Sequence, residues 1–152
     1  MWRGGYLLRV RSILDAKGRK VWSTTPEATV FDALTTLAEK DVGALVVISK
    51  GKLVGIFSER DYARKVILMG KSSKETTVEE IMASPAITVT PDYTVEECMR
   101  IMTDRRLRHL PVVDGDEVIG VVSIGDLVNS IISFQADTIQ HLDNYIRGGY
   151  MH

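Results

Sequence analysis

The sequence predicts a mixed α/β fold built from two copies of one small unit, and three observations predict it. The stretch Thr25 to Ile67 reappears without a gap, 65 positions later, as Thr90 to Ile132. The pairs Thr25/Thr90, Pro26/Pro91, Thr29/Thr94, Val30/Val95, Leu45/Leu110, Val47/Val112, Gly55/Gly120, Ser58/Ser123, Asp61/Asp126 and Ile67/Ile132 are identical. A repeat of this kind states how a fold is assembled. Within each copy, a helical apolar period gives way to two short β-like runs and then returns to a helix. The 152 residues, 45% hydrophobic and 26% charged, suit one compact domain or two halves sharing a core. Two similar halves commonly pack about a pseudo-two-fold axis, and the seams between them are common small-molecule sites.

The elements follow in order. Val10-x-x-Ile13-Leu14 and Val78-x-x-Ile81-Met82 read as short helical segments, one before each repeat. Val30, Ala33, Leu34, Leu37 and Ala38 keep the i, i+3, i+4, i+7, i+8 spacing of one helical face. Ala44 to Ile48 is a short, largely β-branched run, Lys50-Gly51 a tight turn, and Leu53 to Phe57 a returning strand, together a hairpin. A helix opens near Ser58 and places Tyr62, Ala63, Val66 and Ile67 on one side. In the second copy, Thr94-Val-Glu-Glu97 is a capping box before the stripe Val95, Cys98, Met99 and Met102. His109 to Val113, a turn at Asp114-Gly115-Asp116, and Val118 to Val122 form the second hairpin, closed by a helix from Ile124 to Ile132. A separate amphipathic helix, with Ile139, Leu142, Tyr145 and Ile146 apolar, is expected to stop at Gly148-Gly149. The expected organisation is residues 1–69 as the first repeat with its N-terminal segment, 70–77 as a polar linker, 78–133 as the second repeat, and 134–152 as a C-terminal helix and tail.

Composition narrows the function. No apolar run approaches the roughly 18 residues that cross a bilayer. The start, MWRGGYLLRVRS, lacks the apolar h-region of a secretory signal. The single Cys98 cannot form an internal disulfide, which fits a reducing compartment, cytoplasm or organellar matrix. A net charge of −1 and the lack of an aromatic-basic platform argue against nucleic acid. His109, His141 and His152 show no metal-ligand spacing, so no metal is expected. Cys98 sits on a helical apolar stripe and reads as a small core residue. Trp22 and Tyr93 flank the loops before the main helices; both packing and a place beside a cleft suit them. No Walker loop, nucleophile elbow or zinc signature is present, and no enzyme activity is expected.

The local motif that carries chemistry is Gly-x-x-Ser-x-x-Asp at a strand-to-helix junction. It stands as Gly55-Ile-Phe-Ser58-Glu-Arg-Asp61 and again as Gly120-Val-Val-Ser123-Ile-Gly-Asp126. Glycine lets a ligand approach the backbone. The first helical turn offers unpaired N–H groups to a phosphate. A serine hydroxyl can donate to a phosphate oxygen, and an ionised aspartate can accept from both hydroxyls of a ribose. Ser-x-x-Asp is also the spacing of a capping box, which needs no ligand. Both readings stand on the residues alone, and the in-register duplication weighs toward the ligand.

Taken together, the repeat unit resembles a CBS domain, and the tandem resembles a CBS pair, or Bateman module, over about Val10 to Ser133. GIFSERDYARKV, RHLPVVD, GVVSIGDLV and the terminal Tyr145-Ile-x-Gly-Gly-Tyr150 are similar to small stand-alone CBS-pair proteins. The resemblance implies two β-α-β-β-α repeats packed through their sheets, with two clefts, and homodimers that pair helical faces into a flat disc. It implies AMP, ADP or ATP as a regulatory ligand, or NAD(H) in some members. By position it implies that Asp61 and Asp126 bind ribose, with Ser58 and Ser123 near ribose or phosphate. The apolar strand residues Ala44, Ile56, Leu110 and Val121 would flank adenine. Backbone groups of Ser23, Thr24 and Thr25 would read its edge in the Asp126 cleft, and those of Thr88, Val89 and Thr90 in the Asp61 cleft.

The copies differ before the first hairpin strand. Arg105-Arg106-Leu-Arg108-His109 stands in the second copy where the first has Lys40-Asp41-Val-Gly43-Ala44. In nucleotide-sensing relatives, basic residues matching Arg108 and His109 contact phosphates, so both are expected beside Asp126. Arg105 and Arg106 suit a helix C-terminus, where cations meet the dipole. Arg60 is either solvated or a further phosphate contact. The expected function is a regulatory adenine-nucleotide module that reports energy state to an effector in trans. An NAD(H) module, or a ligand-free oligomerisation protein whose Ser-x-x-Asp units are only caps, are the alternatives.

Overall fold

The computed structural model of the chain describes residues 8–147. The elements run α1 (Val10–Lys17), β1 (Ser23–Thr24), α2 (Val30–Lys40), β2 (Ala44–Ser49), β3 (Lys52–Ser58), α3 (Glu59–Tyr62), α4 (Val78–Ile81), α5 (Val95–Arg105), β4 (His109–Asp114), β5 (Glu117–Ser123) and α6 (Ile124–Arg147). A π-helical turn, Ala63–Ile67, follows α3.

The two copies fold alike down to their caps. The Thr29 hydroxyl accepts the Asp32 N–H at the start of α2, and the Thr94 hydroxyl accepts the Glu97 N–H at the start of α5. Glu97 returns the bond to the Thr94 N–H at 2.9 Å, which completes the expected capping box and holds its own carboxyl below the usual range. Both helices end on a left-handed residue, Asp41 at φ 53° and Arg106 at φ 56°, at equivalent positions. β2 and β3 form an antiparallel hairpin through Lys50-Gly51, both at positive φ, as a tight two-residue turn requires. β4 and β5 form the second hairpin, with a register shift at Val112/Val113 where the first has one at Val47/Ile48. β1 adds to β2 in parallel. In the second copy a single parallel bridge, Val89 to Val112, stands in its place.

The short helices exchange partners. α1 precedes the first repeat but buries Val10, Ile13 and Leu14 with Val95, Cys98, Met102, Leu110, Val112, Val122 and Leu127 of the second. α4 precedes the second repeat but buries Val78 and Ile81 with Val30, Ala33, Leu37, Leu45, Val47 and Phe57 of the first. Backbone bonds fix each exchange: Val10 N–H to Tyr93 O and Val95 N–H to Leu8 O, against Val78 N–H to Ala28 O and Val30 N–H to Thr76 O. Trp22 and Tyr93 pack against these cores, as packing alone would have them. Cys98 is fully buried, and burial pushes its thiol up to about 12, so it is an inert core residue.

Two expectations need correction, and one gains detail. The polar linker Gly70 to Thr77 packs against the first repeat: Phe31 N–H bonds to Ser73 O and Thr76 is buried. These contacts satisfy first-turn N–H groups of α2 that would otherwise lack partners. The helix after Ser58 widens into the π-turn, so Val66 is buried while Ile67 stands 55% exposed, off the apolar face expected for it. The closing helix and the tail helix are one continuous helix, α6, since no glycine or proline interrupts Ile132 to Ile139. The expected stop at Gly148-Gly149 lies outside the described residues.

The glycines of the repeated motif permit the exchange. A Cβ on Gly55 would lie 2.8 Å from the Ala83 carbonyl, and one on Gly120 would lie 2.6 Å from a methyl of Leu14. The first clash is with backbone, the second with the end of a side chain. Gly55→Ala is therefore expected to destabilise the ligand-free protein by about 1–3 kcal/mol, and Gly120→Ala by less, in urea titrations.

Candidate functional site

Both Ser-x-x-Asp units form capping boxes. Ser58 donates through its N–H (3.1 Å) and its hydroxyl (3.0 Å) to Asp61 Oδ2, and the Asp61 N–H returns a bond to Ser58 Oγ. Ser123 N–H donates to Asp126 Oδ2 at 2.8 Å, and the Asp126 N–H bonds to Ser123 Oγ. The cap fixes each carboxylate at the end of its strand. It does not use up the carboxylate, which has about four lone-pair positions. Asp61 Oδ1 faces the Lys65 ammonium at 3.5 Å, and Lys65 itself bonds to the Ile81 carbonyl at 3.0 Å.

Asp61 lines a cleft of about 390 Å³ with Gly43, Ile56, Ser58 and Ala83 on one side and Arg105 to His109 on the other. A second cavity, about 300 Å³, continues from it past Ile56, Ala83, Leu107 and His109 to Met82, Ser84, Pro85, Ala86 and Ile87. The first compartment is cationic: Arg60, Arg64, Lys65, Arg105, Arg106 and Arg108 line it, against the carboxylates Glu59 and Asp61. The second is lined mostly by apolar residues, Ile56, Met82, Ala83, Pro85, Ala86, Ile87 and Leu107, with Lys65, Ser84 and His109 among them, and it lies beside the cis Ser84–Pro85 peptide.

The structure re-sorts the expected residues. Ile56, Ser58, Arg60, Asp61, Arg108 and His109 meet in the Asp61 cleft. Arg108 and His109 were expected beside Asp126; both line the Asp61 cleft, and His109, paired with Ser123 across the second hairpin, also feels the Asp126 charge more than that of Asp61. The reason is that the heads of β2 and β4 meet between the repeats: a Cβ on Gly43 would lie 3.0 Å from His109 Nε2. Each strand head thus borders the other repeat's cleft. Arg60 ties the same seam by donating to the Arg106 carbonyl at 2.8 Å. Arg105 and Arg106, expected only to decorate a helix end, also line the cleft.

Thr88, Val89 and Thr90 are not at the Asp61 cleft. Val89 is buried, and its N–H and carbonyl pair with Pro111 and Val113 around β4. Thr90 lines a separate cavity with Arg11, Arg19 and Asp92. The lip is instead Met82 to Ile87, which the sequence reading missed; Ala83 pairs with Ile56 in both directions, at 3.0 and 2.9 Å. Ser23 and Thr24 lie in the parallel ladder opposite Val46 and Val47, where the Val46 N–H bonds to the Trp22 carbonyl, and the Thr25 carbonyl closes a turn to Ala28. Ser23 lines a small cavity with Asp116 and Glu117 rather than with Asp126. Ala44 and Leu110 are buried in strands, Ala44 opposite Ser58. Asp126 borders a different cavity, between α1 and α6, and bonds to Lys17 at 2.6 Å; Lys17 also bonds to the Val121 carbonyl.

His109 is half-buried at the seam. Burial lowers its pKa from the ordinary 6.5, the cations Lys17 and Arg108 lower it further, and the carboxylates Asp126 and Asp61 offset only part of this. A basic group with a depressed folded pKa is neutral in both states at high pH. Below 6.5 the unfolded chain takes up the proton first. Stability contributed by the neutral ring is therefore complete above that value and is lost as pH falls through the folded pKa. The urea midpoint is expected to fall between about pH 7 and pH 5, and His109→Gln to flatten that slope.

No helix among the described residues is long and apolar enough to cross a membrane, and no group of three or more His, Cys, Asp or Glu among them could hold a metal ion. Comparison with known proteins accounts for the duplicated architecture. The family model for the CBS domain matches residues 10–67 and 78–133. The mitochondrial CBS domain-containing protein CBSX3 of Arabidopsis thaliana is 46% identical over 141 residues, covering 90% of this chain and 68% of that protein. A putative signal-transduction protein with CBS domains from Burkholderia ambifaria superposes with a TM-score of 0.79 at 49% identity, over 82% of this chain and 94% of that one. A CBS domain protein from Pyrobaculum aerophilum, solved in complex with AMP, superposes with a TM-score of 0.69 at 28% identity, over 78% of this chain and 89% of that one. With both repeats matched and their exchanged helices in place, the chain belongs to the CBS domain family as a tandem pair.

Proposed function

We propose that this CBS pair is a regulatory module that binds one adenine nucleotide in the Asp61 cleft and signals to a partner protein in trans. One observation carries the reading: an oriented aspartate, a cationic wall and an apolar recess are continuous with one another. Asp61 would accept from the ribose hydroxyls, held in place by its bonds from Ser58. Arg108, with Arg105, Arg106 and Arg64, would face the phosphates, where planar guanidinium groups match phosphate oxygens. His109 would contribute a neutral ring N–H rather than a charge near pH 7. Adenine would enter the recess between Ile56 and Ile87, its edge read by backbone between Ala83 and Ile87. The AMP held by the Pyrobaculum relative supports an adenine nucleotide as the ligand class. The reading assigns binding and no chemistry to the cleft.

Isothermal titration with AMP, ATP and NADH tests this. Asp61→Ala and Arg108→Ala are each expected to weaken AMP by about 1–3 kcal/mol. The Arg108 effect should shrink with salt, because that residue is exposed. No heat and no melting shift with any of the three would overturn the reading in favour of a ligand-free interaction protein. NADH binding more tightly than AMP would move it to a dinucleotide.

The same reading includes a homodimer. On α6, Ile132, Ile139 and Ile146 recur every seven residues with Leu142 between them, and all four are more than half exposed. That is the spacing of a heptad seam, whose natural complement is a second copy of itself. Light scattering is expected to give twice the chain mass, and Ile139→Lys to give the monomer. A monomeric unmodified protein at micromolar concentration would refute the pairing.

A further inference from the structure

The second cleft repeats the strand and cap of the first, but its carboxylate is already engaged. Lys17, the last residue of α1, donates from Nζ to Asp126 Oδ2 at 2.6 Å and to the Val121 carbonyl at 3.0 Å. The same Oδ2 accepts the Ser123 N–H. In the first repeat the carbonyl equivalent to Val121 is that of Ile56, and there the Ala83 N–H fills it, a backbone group of the cleft lip. The Lys17 ammonium thus stands where the other repeat has its lip backbone. With side chains 41% and 21% exposed, the Lys17–Asp126 pair is partly screened, so the carbonyl anchor matters to holding the ammonium there.

The surrounding charges differ in the same sense. The position equivalent to Lys65 is Ser130, which carries no charge. The positions equivalent to Arg105, Arg106 and Arg108 are Lys40, Asp41 and Gly43. Lys40 itself lies over the Trp22 ring, 4.4 Å from its centroid. A ribose diol in this cleft would have to donate to a carboxylate that an ammonium holds at 2.6 Å, where Lys65 stands 3.5 Å from Asp61, and without a cationic wall to keep its phosphate.

Building on the nucleotide reading of the Asp61 cleft, we infer that Lys17 is an internal occupant of the second cleft, an ammonium seated in the ribose position that limits the chain to one nucleotide. Lys17→Met removes the ammonium and keeps most of the stem, and Lys17→Arg keeps the charge. Titration of the full chain with AMP is expected to give one site per chain for the unmodified protein and for Lys17→Arg. Lys17→Met is expected to give two, the added one weaker. Asp61→Asn should abolish the single site of the unmodified protein, while Asp61→Asn combined with Lys17→Met should retain one site, lost on adding Asp126→Asn. One site in both the unmodified protein and Lys17→Met, with Asp61→Asn abolishing it, overturns the occupant and leaves the Asp61 reading intact. Two sites in the unmodified protein, or none in Lys17→Met, also overturn it. No binding in the unmodified protein with one site in Lys17→Met sustains the occupant and sinks the Asp61 reading instead. Melting curves for each variant confirm that the counts refer to folded protein.

Discussion

The structure depends on an exchange: each repeat is completed by the short helix that precedes the other. Without α4 the first core would lose the fully buried Val78 and nearly buried Ile81; without α1 the second would lose Val10 and Leu14. Truncating any one of these large aliphatic side chains falls in the range of about 2–5 kcal/mol typical of core cavities. Neither half can therefore be removed without unmaking the other. The exchange also explains why both motif glycines are needed, since each strand must let the incoming helix or its tail approach its backbone.

The exchange in turn decides what borders each cleft. After α4 the chain turns along β3, so Met82 to Ile87 becomes the lip of the Asp61 cleft. After α1 the chain sits beside β5, so Lys17 reaches Asp126. The strand heads cross at the seam, which sends the arginines of the second repeat to the aspartate of the first. An asymmetric charge distribution arises from a nearly symmetric backbone because the segment before β4 carries arginines where its counterpart before β2 has Lys40, Asp41 and Gly43, and because α1 brings Lys17 to the second repeat.

The local features were legible in the sequence and the crossings were not. Thr94 and Glu97 and the Lys50-Gly51 turn follow from interactions within a few residues, and the burial of Cys98 from its place on the apolar stripe of α5. The Val89 backbone, expected to read a ligand edge, is instead taken by pairing with Pro111 and Val113, and Thr24 lies in the parallel ladder with β2, a non-local use that periodicity does not reveal. One available signal was that Ala83 to Ile87, containing a proline after a short helix, cannot continue that helix and must leave along an edge. The placement of Arg108 and His109 required knowing which side of the seam β4 enters, and the repeat alone leaves both sides open.

The two Ser-x-x-Asp units separate what a motif secures from what a site needs. Both form the same cap, with the aspartate receiving the serine N–H and returning its own to the hydroxyl. The cap is local, so it survives in both copies whatever surrounds it. A nucleotide needs three further things: free lone pairs on the carboxylate, cations for the phosphate and an apolar recess for the base. The cations and the recess come from distant segments, and in this chain they converge at Asp61, whose ammonium neighbour Lys65 stands at 3.5 Å, against 2.6 Å for Lys17 at Asp126. The capping reading and the ligand reading are thus not rivals. Capping holds the carboxylate in both repeats, and the segments around it determine which of the two meets the cations and the recess that suit a ligand.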